Sequence, residues 1–236
     1  MKRLITCLLL LISCACTAQI SVVAKAGASG TTAAATTASI NDAGATMDWV
    51  EVNYYAGVSA GVLTDSKSNT WTLYNTTTLA GTVAVAWYYC INPITGSGHT
   101  FTYTKTGSYP SINVICLGNT ATVSPIDQFL GSFVASGTSM QPGSITPTSN
   151  YQIILAAICT GNTGGAVSIN SGFTISSSVS FGAGNNQGGA LAYLSQTTAA
   201  AVNETWSWPS SSPAVASHLS VKIAANAGGI LLIIPQ

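Results

Sequence analysis

Val83-Ala84-Val85-Ala86-Trp87-Tyr88-Tyr89-Cys90-Ile91 decides the fold. The stretch is β-branched and aromatic, and apolar at odd and even positions alike. Asn92-Pro93 stops it. A short apolar run bounded by turn formers reads as a strand buried on both faces, which belongs inside a sheet. Downstream, Gly96-Ser97-Gly98 turns into His99-Thr100-Phe101-Thr102-Tyr103, which alternates polar and aromatic residues. Ile112 to Leu117 is a second run that is apolar on both faces. Upstream, Trp49 to Tyr55 reads as a strand. Asp65-Ser66-Lys67-Ser68-Asn69 reads as a hairpin turn, built from turn formers, leading into Trp71-Thr72-Leu73-Tyr74. Tyr151 to Cys159, Val167 to Ile175, Gly189 to Leu194, Glu204 to Trp208 and Ala216 to Ala224 complete the expected strands.

Helical periodicity is nearly absent, and turn clusters recur at intervals of roughly 8–20 residues, as in sandwiches. The expectation is an all-β protein, a two-sheet antiparallel β-sandwich of jelly-roll connectivity. An immunoglobulin-like sandwich is the alternative. It is usually shorter, and its Cys–Trp–Cys layout is not matched.

Composition narrows the function. Hydrophobic residues make up 47% of the chain and charged residues only 5%. There is no basic patch, so nucleic acid is not an expected partner. Solubility must come from hydroxyls and amides, which favours a tethered or self-associating protein, a homo-oligomer included.

Met1-Lys2-Arg3, the apolar run Leu4 to Ile12 and the small residues that follow have the layout of a secretory signal peptide over 1–18. Two cleavage sites compete. Leu11-Ile12-Ser13-Cys14 resembles a bacterial lipobox, and that resemblance implies lipidation of Cys14 and a membrane anchor. A cut after Ala18 would instead release the protein. The expected location is outside the cytoplasm, as a surface lipoprotein or a secreted protein. Residues 19–46 are rich in Ala, Thr and Gly and read as an edge strand or a spacer. Residues 47–225 are the sandwich domain, and 226–236 form an apolar tail. Cys90, Cys116 and Cys159 sit in apolar runs and read as small buried hydrophobes, with disulfide pairing open.

Several segments together resemble uncharacterised secreted β-sandwich modules of bacteria and phages. They include Asp65-Ser66-Lys67-Ser68-Asn69-Thr70-Trp71, Gly96-Ser97-Gly98-His99-Thr100-Phe101, Tyr109-Pro110-Ser111-Ile112 and Pro142-Gly143-Ser144-Ile145-Thr146-Pro147. Ser168 to Phe173, Gly189 to Leu194 and Asn203 to Trp206 extend the likeness over roughly residues 47 to 224. The resemblance implies a surface or virion-associated module without catalytic residues.

The carboxylates are Asp42, Asp48, Glu51, Asp65, Asp127 and Glu204, and the histidines are His99 and His218. Asp48 and Glu51 point to opposite faces of a strand, so they cannot form the facing pair that glycoside hydrolysis needs. Asp127 and Glu204 could meet only through the fold. No nucleophile elbow is present. His99 reads as a turn residue at a strand start, and His218 as an ordinary residue of the last strand. A His99/His218 metal pair has no sequence-local support, so no enzyme, cofactor or metal is expected.

Binding is the better-supported class. Trp206 and Trp208 share one face of a strand, as a sugar-stacking platform if it looks outward and as core if inward. Trp49 with Tyr54 and Tyr55 is a second aromatic candidate. The neutral loop residues Asn185, Asn186 and Gln187 could contact sugar hydroxyls. The expected role is adhesion or recognition of glycans or cell-surface polysaccharide. The alternative is a structural, self-assembling surface protein or a phage-encoded receptor-recognition module.

Overall fold

The computed structural model describes residues 19–30, 33–57, 61–106, 109–161, 166–179 and 187–225. Every regular element among them is a strand: β1 (Ser21–Ser29), β2 (Ala34–Thr36), β3 (Met47–Tyr54), β4 (Val62–Asp65), β5 (Thr72–Leu79), β6 (Val83–Ile91) and β7 (Phe101–Thr104) come first. β8 (Ser111–Gly118), β9 (Ile126–Met140), β10 (Ile153–Thr160), β11 (Ser168–Ile169), β12 (Thr174–Val179), β13 (Gly188–Ser195) and β14 (Trp206–Val221) follow. All pairings are antiparallel.

The fold is an antiparallel β-sandwich with a small third sheet. A five-stranded sheet, ordered β1-β8-β3-β6-β5, packs on a six-stranded sheet ordered β11-β14-β10-β13-β12, with β9 added beside β14. A three-stranded sheet, β2-β7-β4, covers the other face of the five-stranded sheet, which is thus the middle layer. Sheet membership follows chain order: the chain up to β8 builds the middle and small sheets, and β9 onward builds the large one. That differs from the jelly-roll connectivity expected from the sequence, in which strands pass repeatedly between two sheets. The Asp65–Asn69 turn is likewise not a hairpin. β4 pairs with β7 and β5 with β6, so the turn carries the chain from the small sheet to the middle one.

The middle layer explains the runs that are apolar on both faces. Alternate residues of β3, β6 and β8 point to opposite sides. Trp49, Val85, Trp87, Ile115 and Leu117 enter the core shared with the large sheet, against Leu155, Leu191, Val215 and Leu219. Val50, Val52, Ala86, Tyr88 and Val114 enter a second core under Phe101 and Tyr103 of the small sheet. The first core is rich in aromatics. Trp49 meets Trp87 edge-on at 5.9 Å and Tyr74 at 6.1 Å, and Tyr74 reaches Phe129 of the other sheet at 5.5 Å. Trp87 Nε1–H donates to Ser217 Oγ at 2.8 Å, a buried hydrogen bond that fixes one sheet against the other.

The segment expected as an edge strand or spacer supplies β1 and β2, both at sheet edges. The two final strands expected from the sequence, Glu204 to Trp208 and Ala216 to Ala224, are one strand, β14. Its ladder with β9 breaks between Ser207 and Ser212, where Pro209 interrupts the hydrogen-bonding groups. Trp206 and Trp208 pack onto the outer face of the large sheet, against Ala156, Ala190, Ala192, Ala214 and Ala216. These alanines leave the depth that two indoles need. Trp206 is 0% and Trp208 4% exposed. We expect Trp206→Ala to destabilise the fold by about 3–5 kcal/mol, read by urea unfolding. The double Trp206→Ala/Trp208→Ala variant should not fold.

Candidate functional site

The polar groups of this chain collect inside it. Five of its six carboxylates, Asp42, Asp48, Glu51, Asp65 and Glu204, have buried side chains. Such groups persist in a core only when paired, hydrogen-bonded or neutralised.

The largest group lies between the middle and small sheets. Ile40 and His99 form an isolated bridge just before β7, which brings the Asp42 turn beside the end of β4. His99 is 0% exposed and stacks on Phe101, with ring centroids 4.1 Å apart. Its Nδ1 is 2.5 Å from Asp42 Oδ2, and its Nε2 is 3.2 Å from Asp65 Oδ1 without hydrogen-bond alignment. Asp65 is pinned in place: it accepts from the Lys67 and Asn69 backbone N–H groups and from Trp71 Nε1 at 2.6 Å. Asp42 Oδ1 accepts the Gly96 N–H at 2.7 Å, and Gly96 adopts φ +128°, a backbone state that favours glycine. One imidazole therefore joins three segments of chain.

Asp48 completes the group. It sits on the same face of β3 as Val50 and Val52, with Cys90 and Cys116 directly opposite on the flanking strands. Both its oxygens are buried without a hydrogen-bond partner. Burial pushes its carboxyl up to about 7, the neighbouring Cys116 thiol opposes this, and Asp42 adds to it. The thiols are also raised, Cys90 to about 11, first by burial and then by the nearby carboxylates. Cys90, Cys116 and Cys159 are free and buried. Cys90 and Cys116 lie two strand spacings apart, roughly 10 Å, which no disulfide spans.

Glu51 faces the other way, into the core between the two main sheets. Asn113 Nδ2 donates to its Oε2 at 2.7 Å, while Oε1 is without a partner. Ser177 Oγ in turn donates to Asn113 Oδ1 at 2.6 Å. Burial holds the Glu51 carboxyl well above its usual range, against the hydrogen bonds of Asn113 and Asn53. A third pair, His218 Nδ1 and Glu204 Oε2, is 2.9 Å apart and fully buried in the large sheet. Asp127 is engaged elsewhere, by Thr148 and Gln152.

The aromatic candidates fall on the core side. Trp206 and Trp208 present no face to solvent, and Trp49 is 0% exposed at the centre of the aromatic cluster. Tyr54 is buried as well, and Tyr55 alone of that group is exposed, at 40%. Gln187 is half-buried: its carbonyl accepts from Ser111 Oγ, its N–H donates to Tyr109 O, and its side-chain oxygen is enclosed. Asn185, Asn186 and Cys14 lie outside the described residues. The Asp42–His99–Asp65 group was missed because the two acids lie 57 and 34 positions before the imidazole they meet. The one available signal was that a chain so poor in charge places four of its six acids, Asp42, Asp48, Glu51 and Asp65, within one short stretch.

The chain matches no protein-family model, and neither the curated proteins nor the solved structures gave a match.

A carboxyl raised in the folded state contributes most stability below its unfolded pKa, about 4.3 for Glu, and loses it as pH rises through the folded value. Glu51→Gln keeps the shape and removes that loss. The variant should be more stable than the parent at pH 8, with the difference shrinking toward pH 4, in urea unfolding followed across that range.

Proposed function

We propose that the chain is a non-enzymatic, exported surface module, anchored through lipid on Cys14, whose role is structural: it associates with further copies of itself through strand β9. The single observation that carries this reading is β9 itself. The 15-residue strand runs along β14 on one side in an interrupted ladder, and no other ladder to it occurs among the described residues. Exposed edges of this kind are usually guarded by Lys or Pro. Residues 126–140 contain neither, and the one charge there, Asp127, is taken up by Thr148 and Gln152. Phe133 is 57% and Leu130 38% exposed on the strand.

An uncharged strand edge can pair with its own copy about a twofold axis without like-charge repulsion. Once the leader with Lys2 and Arg3 is removed, four basic residues stand against six acidic ones, and so small a net charge works in the same direction. The likeness to secreted β-sandwich modules agrees with a surface role. Glycan stacking on Trp206, Trp208 or Trp49 would require those rings to leave the core, which leaves Tyr55 as the only exposed ring among the proposed sugar contacts.

Sedimentation velocity tests the reading. The parent protein should be at least dimeric at micromolar concentration, and Phe133→Lys should be monomeric with an unchanged far-ultraviolet spectrum. A parent that stays monomeric while binding members of a glycan panel would replace assembly with glycan recognition.

A further inference from the structure

We propose that Asp42, Asp48 and His99 form a binding site for a divalent transition-metal ion, zinc foremost, with Asp65 orienting the imidazole from outside the ligand set. Each of the three residues offers one ligand atom, and these atoms lie within 4.8 Å of one another. All three residues are 0% exposed. Independently of that clustering, Asp48 projects into the group with both oxygens buried and without a hydrogen-bond partner. Leaving a carboxylate so placed is costly, and an ion satisfies it directly.

The surroundings are those of a metal ligand set. A ligating histidine usually gives its second nitrogen to a carboxylate, which fixes ring and tautomer. Here Nδ1 faces Asp42, and Nε2 lies 3.2 Å from Asp65 Oδ1, near enough for a small turn of the ring to align them; Asp65 is itself held by two backbone N–H groups and the Trp71 indole. Asp42 is likewise fixed through its other oxygen by Gly96 N–H, leaving Oδ2 for the site. Charge points the same way. Three acids, Asp42, Asp48 and Asp65, surround one imidazole, an excess of acidic groups in a dry region that a dication suits. An imidazole among the ligands favours zinc-type ions over calcium, which takes oxygen ligands. To admit an ion with bonds of about 2 Å, the gap between Nδ1 and Asp42 must open from 2.5 Å to about 3 Å.

A site this enclosed takes up its ion as the chain folds, so the test is refolding. The full chain is unfolded in guanidinium with EDTA, then refolded with zinc, with calcium, or with EDTA alone. Metal content is read by mass spectrometry after gel filtration, and stability by thermal melting. The expected result is about one zinc per chain and a melting temperature raised by roughly 5–10 °C at zinc well above Kd, with no effect of calcium. Asp48→Asn should fold and retain no zinc. Cobalt in place of zinc should give a visible spectrum of nitrogen and oxygen ligation, a readout on the parent protein that needs no variant. Absence of retained zinc together with an unmoved melting temperature would overturn the proposal. So would zinc retained equally by Asp48→Asn and His99→Gln, which would place the ion elsewhere.

Discussion

The structure depends on one constraint: the three central strands of the middle sheet are dry on both faces. β3, β6 and β8 carry apolar side chains on both faces, and a sheet of that kind is stable only between two covering layers. The large sheet supplies one cover and the small β2-β7-β4 sheet the other. The aromatic cluster of Trp49, Trp87, Tyr74 and Phe129 fills the first interface, and the Trp87–Ser217 hydrogen bond sets its alignment. The stack of Phe101 and His99 closes the second.

The same constraint explains where the charge lies. Loops crossing the rim of a three-layer stack bring backbone donors close to the interior. Asp42 and Asp65 are placed where they accept those donors, and His99 joins them. Glu51 with Asn113, between the two main sheets, and Glu204 with His218, on the outer face of the large sheet, repeat the arrangement. Acidic side chains thus act as internal ties, and the surface is left to hydroxyls and amides. A surface so short of charge has little to oppose association at an edge such as β9. The proposed metal would sit at the strongest of these ties, where the acid excess is greatest.

Much of the fold was legible. Val83–Ile91 is β6 to the residue, and Ile112–Leu117 lies within β8, because an apolar run between turn formers has few other readings. β9 was invisible because Gly131, Gly137 and four serines and threonines dilute its pattern, and its partly exposed face never alternates cleanly. Val167–Ile175 was read as one strand but is divided into β11 and β12 by Ser171 and Gly172, both at positive φ. The opposed faces of Asp48 and Glu51 followed from strand geometry alone. The fate of Trp206 and Trp208 did not, since period two gives a shared face but not its direction. That direction is set by the alanines of β10, β13 and β14 on which they pack. His99 was rightly placed at a strand start, but its acid partners come from distant turns.

Native-state hydrogen exchange tests the central claim most directly. If the middle sheet is covered on both faces, amides of β3, β6 and β8 should exchange only through global unfolding and be the slowest in the protein. Those of the edge strands β4, β5 and β9 should exchange well before them. Amides of β3 and β8 exchanging as fast as those of β9 would contradict the three-layer account, because one of the two cores would then be open to water.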